Sequence, residues 1–206
     1  MSRHDWFRHT DWNAEIEADF DTHIKRARDK VQPLKIQAAV LAETRPEVAM
    51  RLLDRYFASG DTLFLADAYS TQAKARLAIG DVSGAAESYE AALRREAEFS
   101  NLKTNSFVEY PLLVAEHGLA ERYGDALRVL AARKSDLAFP VQRFMWHAAH
   151  ALILSAKGSS TEASTEARVA LSAAEQSSSG FRFHGSLGLV GKLHYDLRER
   201  LREMSA

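Results

Sequence analysis

The 206-residue chain contains no cysteine, which removes disulfides, thiolate metal sites and cysteine nucleophiles together. It also lacks a surplus of either charge: 27 lysines and arginines stand against 28 aspartates and glutamates, a formal net charge of −1. A nucleic-acid binder would carry a basic excess or a basic stripe. The densest basic cluster, Lys25-Arg26-Ala27-Arg28-Asp29-Lys30, falls where a helix should end, and there cations complement the helix dipole. No nucleic-acid partner is therefore expected. No run of eighteen apolar residues occurs, so neither a transmembrane helix nor a membrane partner is expected. The opening MSRHDWFRHTDW is polar and aromatic rather than charged and then apolar, and the expectation is a cytoplasmic protein. Sustained alternation with β-branched residues is missing as well, which leaves no sheet to expect.

Signatures of chemistry are equally scarce. There is no Gly-x-Ser-x-Gly, and the serines gather at helix starts and in SSSG. The stretch GFRFHGSLG, within residues 180–188, has glycines but neither a strand–turn–helix context nor Gly-Lys-Ser/Thr, so it does not read as a phosphate loop. His147 and His150 lie three apart and share a helix face. No carboxylate between 141 and 157 completes a metal set, and zinc needs three or four convergent ligands. The pair is expected to pack or bond at a helix interface, with no metal. The acidic residues from Asp5 to Asp21 read as a solvated face near a helix start. With no paired base and nucleophile, a non-enzymatic protein without a cofactor is expected.

What the chain does have is helical periodicity almost throughout. Trp12, Ile16, Phe20, Ile24 and Val31 form one stripe, with Thr10 or Asp11 as its cap. Pro33 opens a segment carrying Leu34, Ala38 and Leu41. Thr44-Arg-Pro-Glu47 has the form of a capping box before Val48, Leu52, Leu53, Tyr56 and Phe57. Asp61 caps a segment ending at Gly80, and Asp81 caps one running to about Glu98. Further helices are expected over 105–118, 122–134 and 141–157, then from the capping box Ser159-Ser-Thr-Glu162 to about Gln176. Leu189, Leu193, Leu197, Leu201 and Met204 suggest a last amphipathic helix.

Aligning Gly80 with Gly158 brings Ala73 onto Ala151, Ala85 onto Ala163 and Ala92 onto Ala170, at an offset of 78 residues or two units of about 39. Small residues at these points let antiparallel helices approach, and the glycine permits the tight turn. A more irregular middle unit offers Ala126 and Leu130 but contains Pro111 and Gly118. This pattern, best in GDVSGAAESYEAAL, resembles the tetratricopeptide repeat over residues 62–173, although the first-helix Trp-Leu-Gly-Tyr set and the closing proline are missing. The flanks DWFRHTDWNAEIEADF, FSNLKTNSF and SGFRFHGSLGLVG resemble segments of bacterial tetratricopeptide-like proteins, a likeness that brings no activity with it. The resemblance implies an all-α fold of about ten helices, a right-handed superhelical stack of antiparallel pairs. The expected organisation is a single domain over 1–206: an N-terminal capping helix to 31, hairpins over 32–176, then a loop and C-terminal capping helix over 177–206.

Candidate contact residues follow from that picture. In such a stack the first helices line a groove, and Asp67, Ser70 and Lys74 would face it. Three non-repeat segments place aromatics or amides beside cations, the residue types that anchor partners. These segments contribute Trp6, Arg8 and His9, then Asn101 and Lys103, then Arg182 and His184. Phe181 and Phe183 are expected to seal the end of the stack. The expected function is recognition of a protein or peptide, as an adaptor or an immunity-type protein that occludes a toxin. The alternative is a small-ligand sensor or enzyme with a site formed by Arg8, His9, Arg182 and His184.

Overall fold

A computed structural model describes residues 5–205. Among these residues the chain is all-helical: ten α-helices, four short 3₁₀ turns and no strand. No helix among the described residues is long and apolar enough to cross a membrane. The chain divides into two compact units, one running to Thr104 and the other beginning at Asn105.

The first unit contains α1 (Ala14–Arg26), α2 (Val31–Leu41), α3 (Pro46–Ala58), α4 (Leu65–Ala78) and α5 (Val82–Glu98). Its core is built on Phe20, Leu34, Leu41, Leu53 and Tyr56, all essentially excluded from solvent. Full burial of each such side chain contributes about 1.5–3 kcal/mol relative to exposure. The Tyr56 hydroxyl donates to Asp61 Oδ2 at 2.5 Å. Burial, and then that carboxylate, push the phenol well above its ordinary range. Three ion pairs join the segment from Asp11 through α1 to α3: Arg45 with Asp11 at 2.8 Å, Arg51 with Glu17 at 3.4 Å and Arg55 with Asp21 at 2.8 Å. Each joins residues 34 apart, and a constant separation requires the two segments to run in the same direction. Helices α4 and α5 instead form an antiparallel hairpin about Gly80, with Asp81 Oδ1 capping α5 through the Gly84 N–H.

The second unit contains α6 (Ser106–Glu116), α7 (Tyr123–Ala132), α8 (Pro140–Ala156), α9 (Ser160–Ala174) and α10 (Tyr195–Ser205). Helix α6 is apolar nearly all round, from Phe107 through Ala115, and is buried accordingly. Gln142 ties the start of α8 to the start of α6. Its Oε1 accepts from the Ala138 and Phe139 N–H groups, and its Nε2 donates to Asn105 Oδ1 at 2.8 Å. Trp146 donates to the buried Leu130 carbonyl at 2.9 Å. Leu197 and Leu201 bring α10 down onto the unit.

Local details depart from the sequence expectations. The first helix stops at Arg26, and Val31 begins the next one, because Asp29 Oδ1 accepts the N–H groups of Val31 and Gln32 and starts α2 there. Asn13, not Thr10 or Asp11, caps α1 by accepting from Ile16 N–H. Neither capping box forms: α3 is preceded by Arg45 and α9 by Ser159, and neither makes a side-chain cap bond. The last helix starts at Tyr195, which leaves Leu189 and Leu193 outside it.

Candidate functional site

The two hairpins that share the alanine pattern share more than alanines. Gly80 and Gly158 both adopt positive φ, +81° and +85°, a conformation open to glycine without the Cβ penalty. All six aligned alanines are buried: Ala73, Ala85 and Ala92 in the first hairpin, Ala151, Ala163 and Ala170 in the second. In an antiparallel hairpin, residues equally far before and after the turn face each other. Eight residues to either side of Gly80 stand Gln72 and Ser88, and Ser88 Oγ donates to Gln72 Oε1 at 3.1 Å. Eight to either side of Gly158 stand His150 and Glu166, with His150 Nδ1 3.3 Å from Glu166 Oε1. The same cross-hairpin position is thus polar in both hairpins.

The second hairpin adds His147, whose Nδ1 lies 2.5 Å from Glu166 Oε2. One half-buried carboxylate from α9 therefore spans two imidazoles of α8. A carboxylate can only accept, so the short contact assigns the His147 proton to Nδ1. His150 Nδ1 is enclosed and makes no hydrogen bond of good geometry. The indole of Trp146 stands edge-on to both rings, at 4.7 and 5.2 Å. At this helix interface His147 thus bonds and His150 packs, as expected. Their carboxylate partner, absent from α8, was signalled only by its distance from the turn glycine. Among the described residues no group of three His, Asp or Glu side chains is arranged to hold a metal ion.

The residues singled out from sequence fall in several places. Trp6 packs into the first unit, stacked on His23 at 5.1 Å and tilted against Phe20 at 5.6 Å. His9 is fastened by its backbone: its N–H donates to Gln37 Oε1, and its carbonyl accepts from Gln37 Nε2 at 2.7 Å. Gln37 is fully buried, so this pair of bonds anchors the N-terminal segment. Arg8 is exposed, with its guanidinium 5.6 Å from the Phe7 ring centroid. On α4, Asp67 pairs with Lys35. Ser70 is only 6% exposed. Lys74 is half-buried, while Asn101 and Lys103 are exposed in the segment after α5. That segment is held by buried Glu96, which accepts from the N–H and hydroxyl of Thr104.

Arg182 and His184 lie in the second unit, in the long connection between α9 and α10. The connection is partly preorganised. Ser179 Oγ donates to the His184 carbonyl at 2.7 Å, and Ser179 N–H donates to the Gly185 carbonyl at 2.7 Å. The Gly188 carbonyl accepts the Val141 N–H at 2.8 Å, satisfying a donor in the first turn of α8. Phe181 stacks on Phe139 at 5.2 Å. Phe183 is 81% exposed and seals nothing, since the seat against α8 is taken by Phe181 and Gly188. Arg182 lies 5.3 Å from the exposed Phe183 ring. Further along, His194 packs against Phe144 at 5.3 Å, and burial holds its pKa below the usual histidine value.

No family model matches the chain, and neither a curated protein nor a solved structure matches it.

Proposed function

We propose that this chain is a tetratricopeptide-like helical-repeat protein that recognises another protein or a peptide without performing chemistry on it. The observation that carries the reading is the likeness of two hairpins: two antiparallel pairs, each turning on a positive-φ glycine, with alanines buried at the same three places. The 34-residue separation of the three ion pairs between the α1 segment and α3 adds support, since tetratricopeptide units are about 34 residues long. Repeats of this kind present rigid preformed surfaces, so a partner binds with little ordering penalty. An adaptor and an immunity-type inhibitor of a toxin both fit this mode of action, and a cytoplasmic setting accords with it.

The test is native affinity capture of the tagged full chain from cells that express it, followed by cross-linking and mass spectrometry. A protein recovered in near-stoichiometric amount and cross-linked to the helical hairpins supports the reading. Recovery of a tightly held small molecule with no protein partner would overturn it in favour of a sensor or enzyme.

A further inference from the structure

The connection between α9 and α10 concentrates features that the rest of the chain disperses. Of the ten large hydrophobic residues exposed among the described residues, five fall between 181 and 195: Phe181, Phe183, Leu187, Leu193 and Tyr195. Isolated exposed hydrophobics are ordinary, but a concentration of them marks an interaction site. The charge of the same stretch is one-sided. Arg182 and Lys192 occur there, and no aspartate or glutamate lies between Gln176 and Tyr195, although the whole chain is net negative. The segment is also seated. Phe181 on Phe139, the Gly188 carbonyl on the Val141 N–H, and His194 on Phe144 all attach it to the N-terminal half of α8. Phe183 and Leu193, 81% and 86% exposed, project from this attached frame.

We propose that residues 180–195 form the partner-docking surface of the second unit, and that the occupant is a protein segment carrying carboxylates next to apolar side chains. This inference rests on the protein-binding reading above and names its surface and partner chemistry. Large aromatic and aliphatic anchors would enter pockets or grooves on the partner, with Arg182 and Lys192 meeting its carboxylates at the rim. Charge complementarity speaks for an acidic partner and against a second basic one. A lipid surface is disfavoured by number: the segment holds two permanent cations, against the roughly four to eight that hold a polybasic segment on an anionic membrane. Nucleic acid is disfavoured on the same ground, since affinity there grows with the count of neutralised phosphates.

The experiment is selection of a displayed random 12-residue peptide library on the full-length chain, with the selected peptides then titrated against purified variants by fluorescence anisotropy. The selected peptides should combine Asp or Glu with Phe, Leu or Trp. Phe183→Ala and Arg182→Glu/Lys192→Glu should each weaken them at least tenfold, with circular dichroism unchanged because these side chains are exposed. Affinity should fall as salt rises. Peptides that bind with full affinity to both variants would overturn the assigned surface while leaving the protein-binding reading intact. Failure to select any peptide, together with failure of the affinity capture, would sink both. Phe183-dependent sedimentation with phosphatidylserine vesicles, or dimerisation lost in Leu193→Ala, would assign the surface to lipid or to a second copy and so overturn the proposal.

Discussion

Gly188 sits at φ +68°, and a Cβ there would come within 2.6 Å of the Phe139 side chain. Both the backbone conformation and the contact therefore exclude other residues, and Gly188→Ala should destabilise the protein by about 1–3 kcal/mol. Urea denaturation measures this; an unchanged midpoint would mean that the connection is not seated on α8. Tyr56→Phe should cost about 1–2 kcal/mol, because Asp61 loses the hydroxyl that donates to it from a buried ring. His194 makes a prediction about pH. Its pKa is lowered by burial, so on acidification the unfolded chain takes up this proton before the folded one. The stability contributed by neutral His194 is complete above the ordinary histidine value and declines as pH falls below it toward the folded value. Comparing urea midpoints at pH 7.5 and 5.5 should show a smaller acid loss in His194→Gln than in the wild type; an equal or larger loss would contradict the assignment. The acceptor role of Glu166 was not legible in the sequence, because that carboxylate comes from a different helix from the histidines it meets.

The hairpins depend on small residues where helices touch. Ala73 and Ala151 are completely buried at equivalent positions, so Ala151→Leu should overpack the α8–α9 contact and cost about 1–3 kcal/mol with helical content retained. Ala78, exposed at the end of α4, serves as the control: Ala78→Leu should alter stability by no more than about 0.5 kcal/mol. Equal effects at the two sites in thermal or urea unfolding would remove the argument for close approach. The exposed ion pairs between the α1 segment and α3 set register rather than stability, since such pairs are each worth about 0–1 kcal/mol and are screened by salt. Periodicity and turn glycines made most helix bodies legible, including Val82–Glu98 and Pro140–Ala156. Helix starts were less legible. Thr44 and Ser159 have the right spacing for capping boxes, but a cap bond also needs the chain to arrive with the side chain aimed at the first turn. That approach is set by the packing of neighbouring helices.

Helix α9 ends at Ala174 and α10 begins at Tyr195, the longest interval between helices, and Arg182 is exposed within it. Limited trypsinolysis should therefore cut first after Arg182. The C-terminal fragment should remain bound, because Leu197 and Leu201 are buried in the second unit. Native mass spectrometry reads both outcomes, and a first cut after Lys103 or immediate loss of the fragment would contradict this account. Helical class, the positions of the hairpin turns and the buried alanines were determined by the sequence alone, because they follow from apolar period, residue size and the conformational freedom of glycine, all local properties. Tertiary structure decided that Gln37 fastens the N-terminal segment, that Glu166 spans two histidines and that Phe181 is seated on Phe139. Each of these depends on a partner many residues away, and only the packed helices bring those partners within reach.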